Sequence, residues 1–169
     1  GFLYYACMNE EIGRSRWAQL VFGCQAPDAG NAEILHHFGT PEQKEQFLEP
    51  LVAGRARSFF SMTEPDVAGS DPTLLRARAV VDGDDWVING QKMWTSLAHF
   101  CDYTWLAVRT DPGAPKKHKG ISMFLVPNSA PGWSCTPVHT LGGVRTNATF
   151  YDNIRVSNDH LVGELNGGW

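Results

Sequence analysis

The sequence predicts an α+β chain, with an N-terminal helical segment followed by an antiparallel β-barrel or sandwich middle domain. Three observations predict it. Up to about Ser58 the apolar residues recur at helical spacing, beyond it they fall in short alternating runs, and Gly and Pro punctuate those runs. With 169 residues, 43% hydrophobic and 19% charged, the composition is that of an ordinary globular chain.

In the helical part, a first apolar segment ends at Glu10, Glu11 and Gly13, and helix-compatible patterning resumes from Trp17 to Phe22. Asn31 opens a short helix toward Phe38. The clearest boundary follows: Thr40-Pro41-Glu42-Gln43 places a capping hydroxyl, a proline at the first helical position and a glutamine at the third, which is a capping box. Phe47, Leu48, Leu51 and Val52 then supply a buried stripe, with Pro50 kinking the helix and Gly54 ending it.

After Ser58 the alternation predicts strands over Phe59 to Met62, Leu75 to Val81, Trp86 to Ile88, Gln91 to Ser96, Tyr103 to Arg109 and Ile121 to Val126. Shorter strands are expected over Ser134 to Val138, Ala148 to Tyr151 and Asn153 to Val156. This density of short strands predicts the barrel or sandwich.

Two segments carry chemistry. Phe60 to Asp71 runs an apolar strand into a polar turn that begins at Pro65, where a ladder donor is lost. Gly69 lets the backbone approach a ligand closely, while the Thr63 and Ser70 hydroxyls and the turn's N–H groups can bond phosphate or a ring carbonyl. Taken alone, the segment reads more readily as an ordinary acidic surface turn than as an anion cradle. In the second segment, Trp86 to Ser96, the Asn89-Gly90 pair between apolar runs predicts a hairpin turn. Alternation on its return strand puts Trp94 and Ser96 on one face and Thr95 on the other, so an indole and a hydroxyl can wall a flat heteroaromatic ring. Taken singly, a tryptophan in such a strand is more often a core residue than a cofactor wall.

Together the segments carry a family resemblance. Thr63-Glu64-Pro65 followed by Gly69-Ser70-Asp71, then Ile88 to Trp94, then Arg155-Val156 and Val162-Gly163-Glu164, resemble an acyl-CoA dehydrogenase over nearly the whole chain. The loop form Thr-Glu-Pro-Asp-Val-Ala-Gly-Ser-Asp is most similar to the branch of family members ten and eleven. It is one residue longer than the commoner loop, so the resemblance assigns no roles to Asp66, Val67 or Ala68.

The resemblance implies FAD as cofactor and Phe60, Met62, Thr63, Gly69, Ser70, Trp94, Thr95 and Ser96 as its contacts. Met62 and Thr63 would serve the flavin ring, Gly69 and Ser70 the pyrophosphate, Trp94 the isoalloxazine face and Ser96 the edge near N5, with Ser70 also touching the substrate. It implies α,β-dehydrogenation of an acyl-CoA thioester with hydride transfer to flavin N5, an electron-transfer flavoprotein as acceptor, and a homo-oligomer. An acyl-CoA oxidase, a flavin monooxygenase-like enzyme or a non-catalytic barrel relative are the alternatives. The general base of the family is a glutamate in a C-terminal helical domain, expected beyond Trp169, so no residue here is assigned a catalytic role. On this basis residues 1–57 are expected to end an N-terminal helical domain, 58–164 to form the FAD-binding β domain, and 165–169 to begin the link to the missing C-terminal bundle. Such a part of an enzyme is expected to expose an apolar helical stripe and to bind FAD poorly by itself. A soluble intracellular location is implied, cytoplasmic in a bacterium and mitochondrial or peroxisomal in a eukaryote. The basic loop Asp111 to Lys119 is expected to be mobile, its lysines solvated or reaching coenzyme A phosphates.

Other function classes find little support. A net charge of −4 lacks the basic excess of a nucleic-acid binder, no apolar run reaches the ~18 residues of a membrane span, and Gly1 to Cys7 lacks a signal-peptide pattern. Cys7, Cys24, Cys101 and Cys135 are too far apart for a local metal motif and are read as free buried thiols. His36 and His37 point about 100° apart on a helix, so no metal site is indicated.

Overall fold

The computed structural model describes all 169 residues, as a set of helices followed by an eight-stranded, mostly antiparallel sheet that does not close on itself. Helices α1 (Phe2–Ile12), α2 (Ala18–Val21) and α3 (Asp28–Phe38) lead into α4 (Pro41–Gln43), which continues through a π-helical turn over Lys44–Leu48 into α5 (Glu49–Val52). Helix α3 begins three residues before the predicted Asn31, because Asp28 serves its first turn and Asn31 is a buried interior residue. The capping box forms as read: Gln43 N–H donates to Thr40 Oγ1 at 3.2 Å and Thr40 N–H to Gln43 Oε1 at 3.1 Å. Pro50 has no N–H to give to the helix, and the π turn lies immediately before it. Helix α1 buries only Ile12, leaving Phe2 86% and Tyr4 75% exposed.

The strands are β1 (Ser58–Ser61), β2 (Arg78–Asp82), β3 (Asp85–Lys92), β4 (Tyr103–Arg109), β5 (Ile121–Pro127), β6 (Trp133–His139), β7 (Arg145–Ser157) and β8 (Leu161–Val162). The main order is β6-β7-β3-β2-β4-β5-β8, and β1 pairs in parallel with the first half of β4. Three expectations are corrected. Asn89-Gly90 is not a hairpin turn. Strand β3 runs straight through it with a register shift against β7, and the β2–β3 turn lies at Gly83, whose φ of +66° favours glycine. A Cβ on Gly90 would come within 2.8 Å of Ala77 Cα, so glycine is needed here for close packing of the chain. Residues 148–151 and 153–156 form one strand rather than two, with the break absorbed at Asn153 (φ +50°). The strand predicted from Leu75 begins only at Arg78, because Pro72–Leu74 forms a 3₁₀ turn first.

The middle strands carry the core. Residues of β4 and β5 are buried on both faces. Tyr103, Trp105 and Ala107 pack with Leu35, Phe47 and Leu51 of the helices, while Leu106 and Val108 face Ile88, Tyr151 and Ile154 across the sheet. Each of the leucine, isoleucine, valine and phenylalanine side chains among these contributes about 1.5–3 kcal/mol on burial. The helices are tied to the start of β1: Ser58 N–H and Oγ–H donate to Asp28 Oδ1 at 2.9 and 2.7 Å, and Asn31 Nδ2 donates to Ser58 Oγ at 2.8 Å.

All four cysteines are free thiols, as expected, but only Cys101 is buried; Cys7 is exposed at the surface of α1. Burial, and then the charges of Asp28 and Asp102, push the Cys101 thiol up to about 12, and its Sγ donates to Ser58 O at 3.2 Å. In the native protein at pH 8, Cys7 is expected to react with an aromatic disulfide reagent and Cys101 to react only after denaturation. Mass spectrometry of the labelled peptides checks this, and native labelling of Cys101 contradicts it.

Candidate flavin cradle

The site is built where β1 ends. Glu64, three residues past Ser61, is 6% exposed, and its carboxylate takes three donors: Arg76 N–H at 2.6 Å, Ala77 N–H at 2.8 Å and Lys92 Nζ at 2.9 Å. Lys92, at the end of β3, is completely buried and also donates to Met62 O at 3.0 Å. Burial draws the Lys92 ammonium below its ordinary pKa, while the charge and hydrogen bond of Glu64 act against that shift. The next residue extends the connection, with Met93 N–H donating to Thr63 O at 2.8 Å. The turn after β1 and the chain leaving β3 are thus fastened along consecutive residues.

On the far side of the turn, a Cβ on Gly69 would meet Thr63 Cγ2 at 3.1 Å, so Gly69 lies against the Thr63 side chain. The N–H groups of Gly69 and Ser70 have no acceptor within the chain. Asp71 closes the turn: its N–H donates to Ala68 O at 3.0 Å, and its Oδ1 accepts from Thr73 N–H at 3.2 Å and from Thr73 Oγ1. Arg109, at the end of β4, donates to Thr73 O at 2.7 Å and Leu75 O at 3.3 Å, and so holds the 3₁₀ turn to the sheet.

The second segment is not the strand its alternation predicts, so Trp94 and Ser96 share no strand face. Strand β3 stops at Lys92, and Trp94 adopts φ +60°, a backbone state that a bulky residue rarely takes. Trp94 (58% exposed) and Ser96 nonetheless face outward and Thr95 is buried. Thr95 N–H donates to Asn147 O at 2.9 Å, Asn147 Nδ2 returns a bond to Thr95 O at 2.9 Å, and the Thr95 and Thr149 hydroxyls lie 3.3 Å apart. Ser96 Oγ lies 3.5 Å from Thr146 Oγ1.

The structure therefore brings Met62, Thr63, Gly69 and Ser70 together in one turn and fastens it beside Trp94. Phe60 and the Met62 side chain pack against the helix-side core, where Phe60 lines a cavity of about 460 Å³ with Phe38, Trp105 and Met123. Sequence reading missed Lys92 and Asn147. A lysine in an alternating run reads as exposed, and its partner lies 28 residues away, so no local pattern marks the pair.

The cradle offers unpartnered backbone donors, two hydroxyls and a glycine-lined approach beside an exposed indole, a donor set that fits a dinucleotide with a flat ring. Comparison with known proteins names the family. Residues 59–154 match the acyl-CoA dehydrogenase middle domain and residues 1–55 its N-terminal domain. The chain belongs to the acyl-CoA dehydrogenase family. Among its relatives, the acyl-CoA dehydrogenase FadE26 of Mycobacterium tuberculosis is 47% identical over 169 residues, covering 93% of this chain and 42% of the relative. Human acyl-CoA dehydrogenase family member 11 is 48% identical over 130 residues, covering 76% and 17%. An acyl-CoA dehydrogenase family structure from Mycobacterium abscessus superposes with TM-score 0.90 at 42% identity, covering 97% of this chain and 42% of that one. A Mycobacterium smegmatis glutaryl-CoA dehydrogenase solved in complex with FADH2 matches with TM-score 0.71 at 33% identity, covering 81% and 34%. The chain thus spans less than half the length of these relatives. No helix in it is long and apolar enough to cross a membrane.

Breaking the pair at the base of the cradle has a defined cost. Glu64→Gln leaves the buried Lys92 ammonium uncompensated and is expected to lower stability by about 3–5 kcal/mol. Adding Lys92→Met to Glu64→Gln is expected to restore much of that loss. Urea denaturation checks both, and equal stability of Glu64→Gln and the parent contradicts the assignment.

Proposed function

We propose that this chain forms the flavin-holding part of an enzyme that dehydrogenates acyl-CoA thioesters between the α and β carbons. The observation that carries the reading is the cradle: Thr63 packed on Gly69 with the Gly69 and Ser70 N–H groups unpartnered, fastened by Lys92–Glu64 beside the exposed Trp94. Bound there, FAD would supply the hydride acceptor that no side chain provides. Ser70 and the Gly69 N–H hold the pyrophosphate, Ser70 also serving the substrate. Thr63 and the Met62 backbone serve the ring, Trp94 covers one face of it, and Ser96 offers a hydroxyl at its edge. Thr95 acts from beneath, since its hydroxyl is turned to Thr149.

Glu64 is no candidate for the base that removes the substrate's α proton, because both of its oxygens are committed inside the fold. The base is assigned to the part of the enzyme outside this chain, together with the walls that set acyl length. The proposed electron acceptor is an electron-transfer flavoprotein, and the proposed assembly is a homo-oligomer. The helical unit is placed at residues 1–57, the flavin-holding unit at 58–164 and the link to a helical bundle at 165–169.

The test is anaerobic addition of a panel of acyl-CoA thioesters to the FAD-loaded, full-length protein. Loss of the flavin's visible absorbance with at least one of them supports the reading, and no response to any of them overturns it. Ser70→Ala removes a donor to a charged group, worth about 1.5–3 kcal/mol, so FAD affinity is expected to fall roughly ten- to a hundredfold by equilibrium titration.

A further inference from the structure

The left-handed backbone of Trp94 needs an explanation from its surroundings, because an indole-bearing residue adopts that state only where neighbouring contacts impose it. On its N-terminal side the chain is fixed by Met93 N–H to Thr63 O. On its C-terminal side the fixing group is Asn147, an interior residue of β7 that is completely buried. Strand pairing does not account for this contact: β3 has ended at Lys92, whose ladder partner is Thr149. Asn147 instead brackets the single residue Thr95 from both sides, its backbone carbonyl taking the Thr95 N–H and its side-chain amide donating to the Thr95 carbonyl, both at 2.9 Å. The side chain substitutes for a strand where the ladder has stopped.

The amide is itself oriented. Arg145 Nε donates to Asn147 Oδ1 at 2.9 Å, which fixes Oδ1 as the acceptor and aims Nδ2 at Thr95. The second Nδ2 hydrogen lies toward His99 Nδ1 at 3.4 Å. The amide therefore has partners on every side, and a single rotamer serves all of them.

We propose that Asn147 is a positioning residue that holds Trp94 in its left-handed conformation and so fixes the indole wall of the cradle, with Arg145 setting the orientation of its amide. This rests on the flavin reading above for its consequence, but not for its geometry. Asn147→Asp is the informative variant: it keeps the volume and the oxygen facing Arg145 while deleting the donor to Thr95. Asn147→Ala deletes both.

The experiment uses the full-length protein with and without FAD. Loss of one hydrogen bond corresponds to roughly a tenfold change in a local opening equilibrium. Amide exchange over residues 94 to 97 is therefore expected to accelerate about tenfold in Asn147→Asp while β3 amides keep their rates, and FAD affinity is expected to weaken with it. A Trp94→Gly background supplies the decisive comparison. Glycine adopts positive φ freely, so Asn147→Asp there is expected to accelerate exchange much less. Unchanged exchange at 94 to 97, acceleration spread equally over all amides, or the same effect in both backgrounds each overturns the proposal. If the parent protein binds no FAD, the flavin reading fails, while the exchange measurements still decide the role of Asn147.

Discussion

An ammonium and a carboxylate withdrawn from water tolerate each other's company and little else, and the Lys92–Glu64 pair imposes that condition on the whole functional side of this molecule. Glu64 comes from the turn after β1, its two backbone donors from the residues leading into β2, and Lys92 from the end of β3. Three separate pieces of chain thus meet at one buried charge pair. The exposed groups above it, Thr63, Gly69 and Trp94, inherit their spacing from what is locked beneath. A site that must present unpartnered N–H groups to a ligand needs such an anchor, because those groups contribute nothing to holding their own loop in shape.

The anchor is supported by a sheet whose central strands have no solvent face. Strands β4 and β5 separate two cores, one shared with the helices and one with β3 and β7, so the helical part is a working half of the sheet's packing. Polar contacts reinforce it at both ends. Asp28 and Asn31 secure the start of β1, and the Gln43 side chain reaches the carbonyls of Asp159 and Leu161 at 2.6 and 2.8 Å. A capping glutamine thereby opens one helix and fastens the last strand.

Much of this was legible in the residues. The capping box, the span of β4 and the turn after β1 follow from local chemistry: a hydroxyl before a proline, a run of alternating β formers, a proline where a ladder must stop. Asn89-Gly90 misled because the same dipeptide suits a two-residue turn and a mid-strand irregularity, and what decides between them is Ala77, which sits against Gly90 from the segment just before β2. The strand pleat that would put Trp94 and Ser96 on one face opposite Thr95 is absent, and their exposure around a buried Thr95 follows a left-handed residue instead. Lys92 and Asn147 were invisible because their roles depend on partners remote in sequence, and neither residue type announces burial.

That remoteness has a kinetic meaning. The contacts that shape the cradle join residues 28 and 52 positions apart, and β1 finds its place only against a strand beginning at Tyr103. Non-local pairings of this kind close late, after the loops between them have given up their freedom. The cradle is then among the last parts of the chain to become complete. A ligand that binds only the completed cradle would stabilise the folded chain by mass action, so its binding would double as a check on assembly.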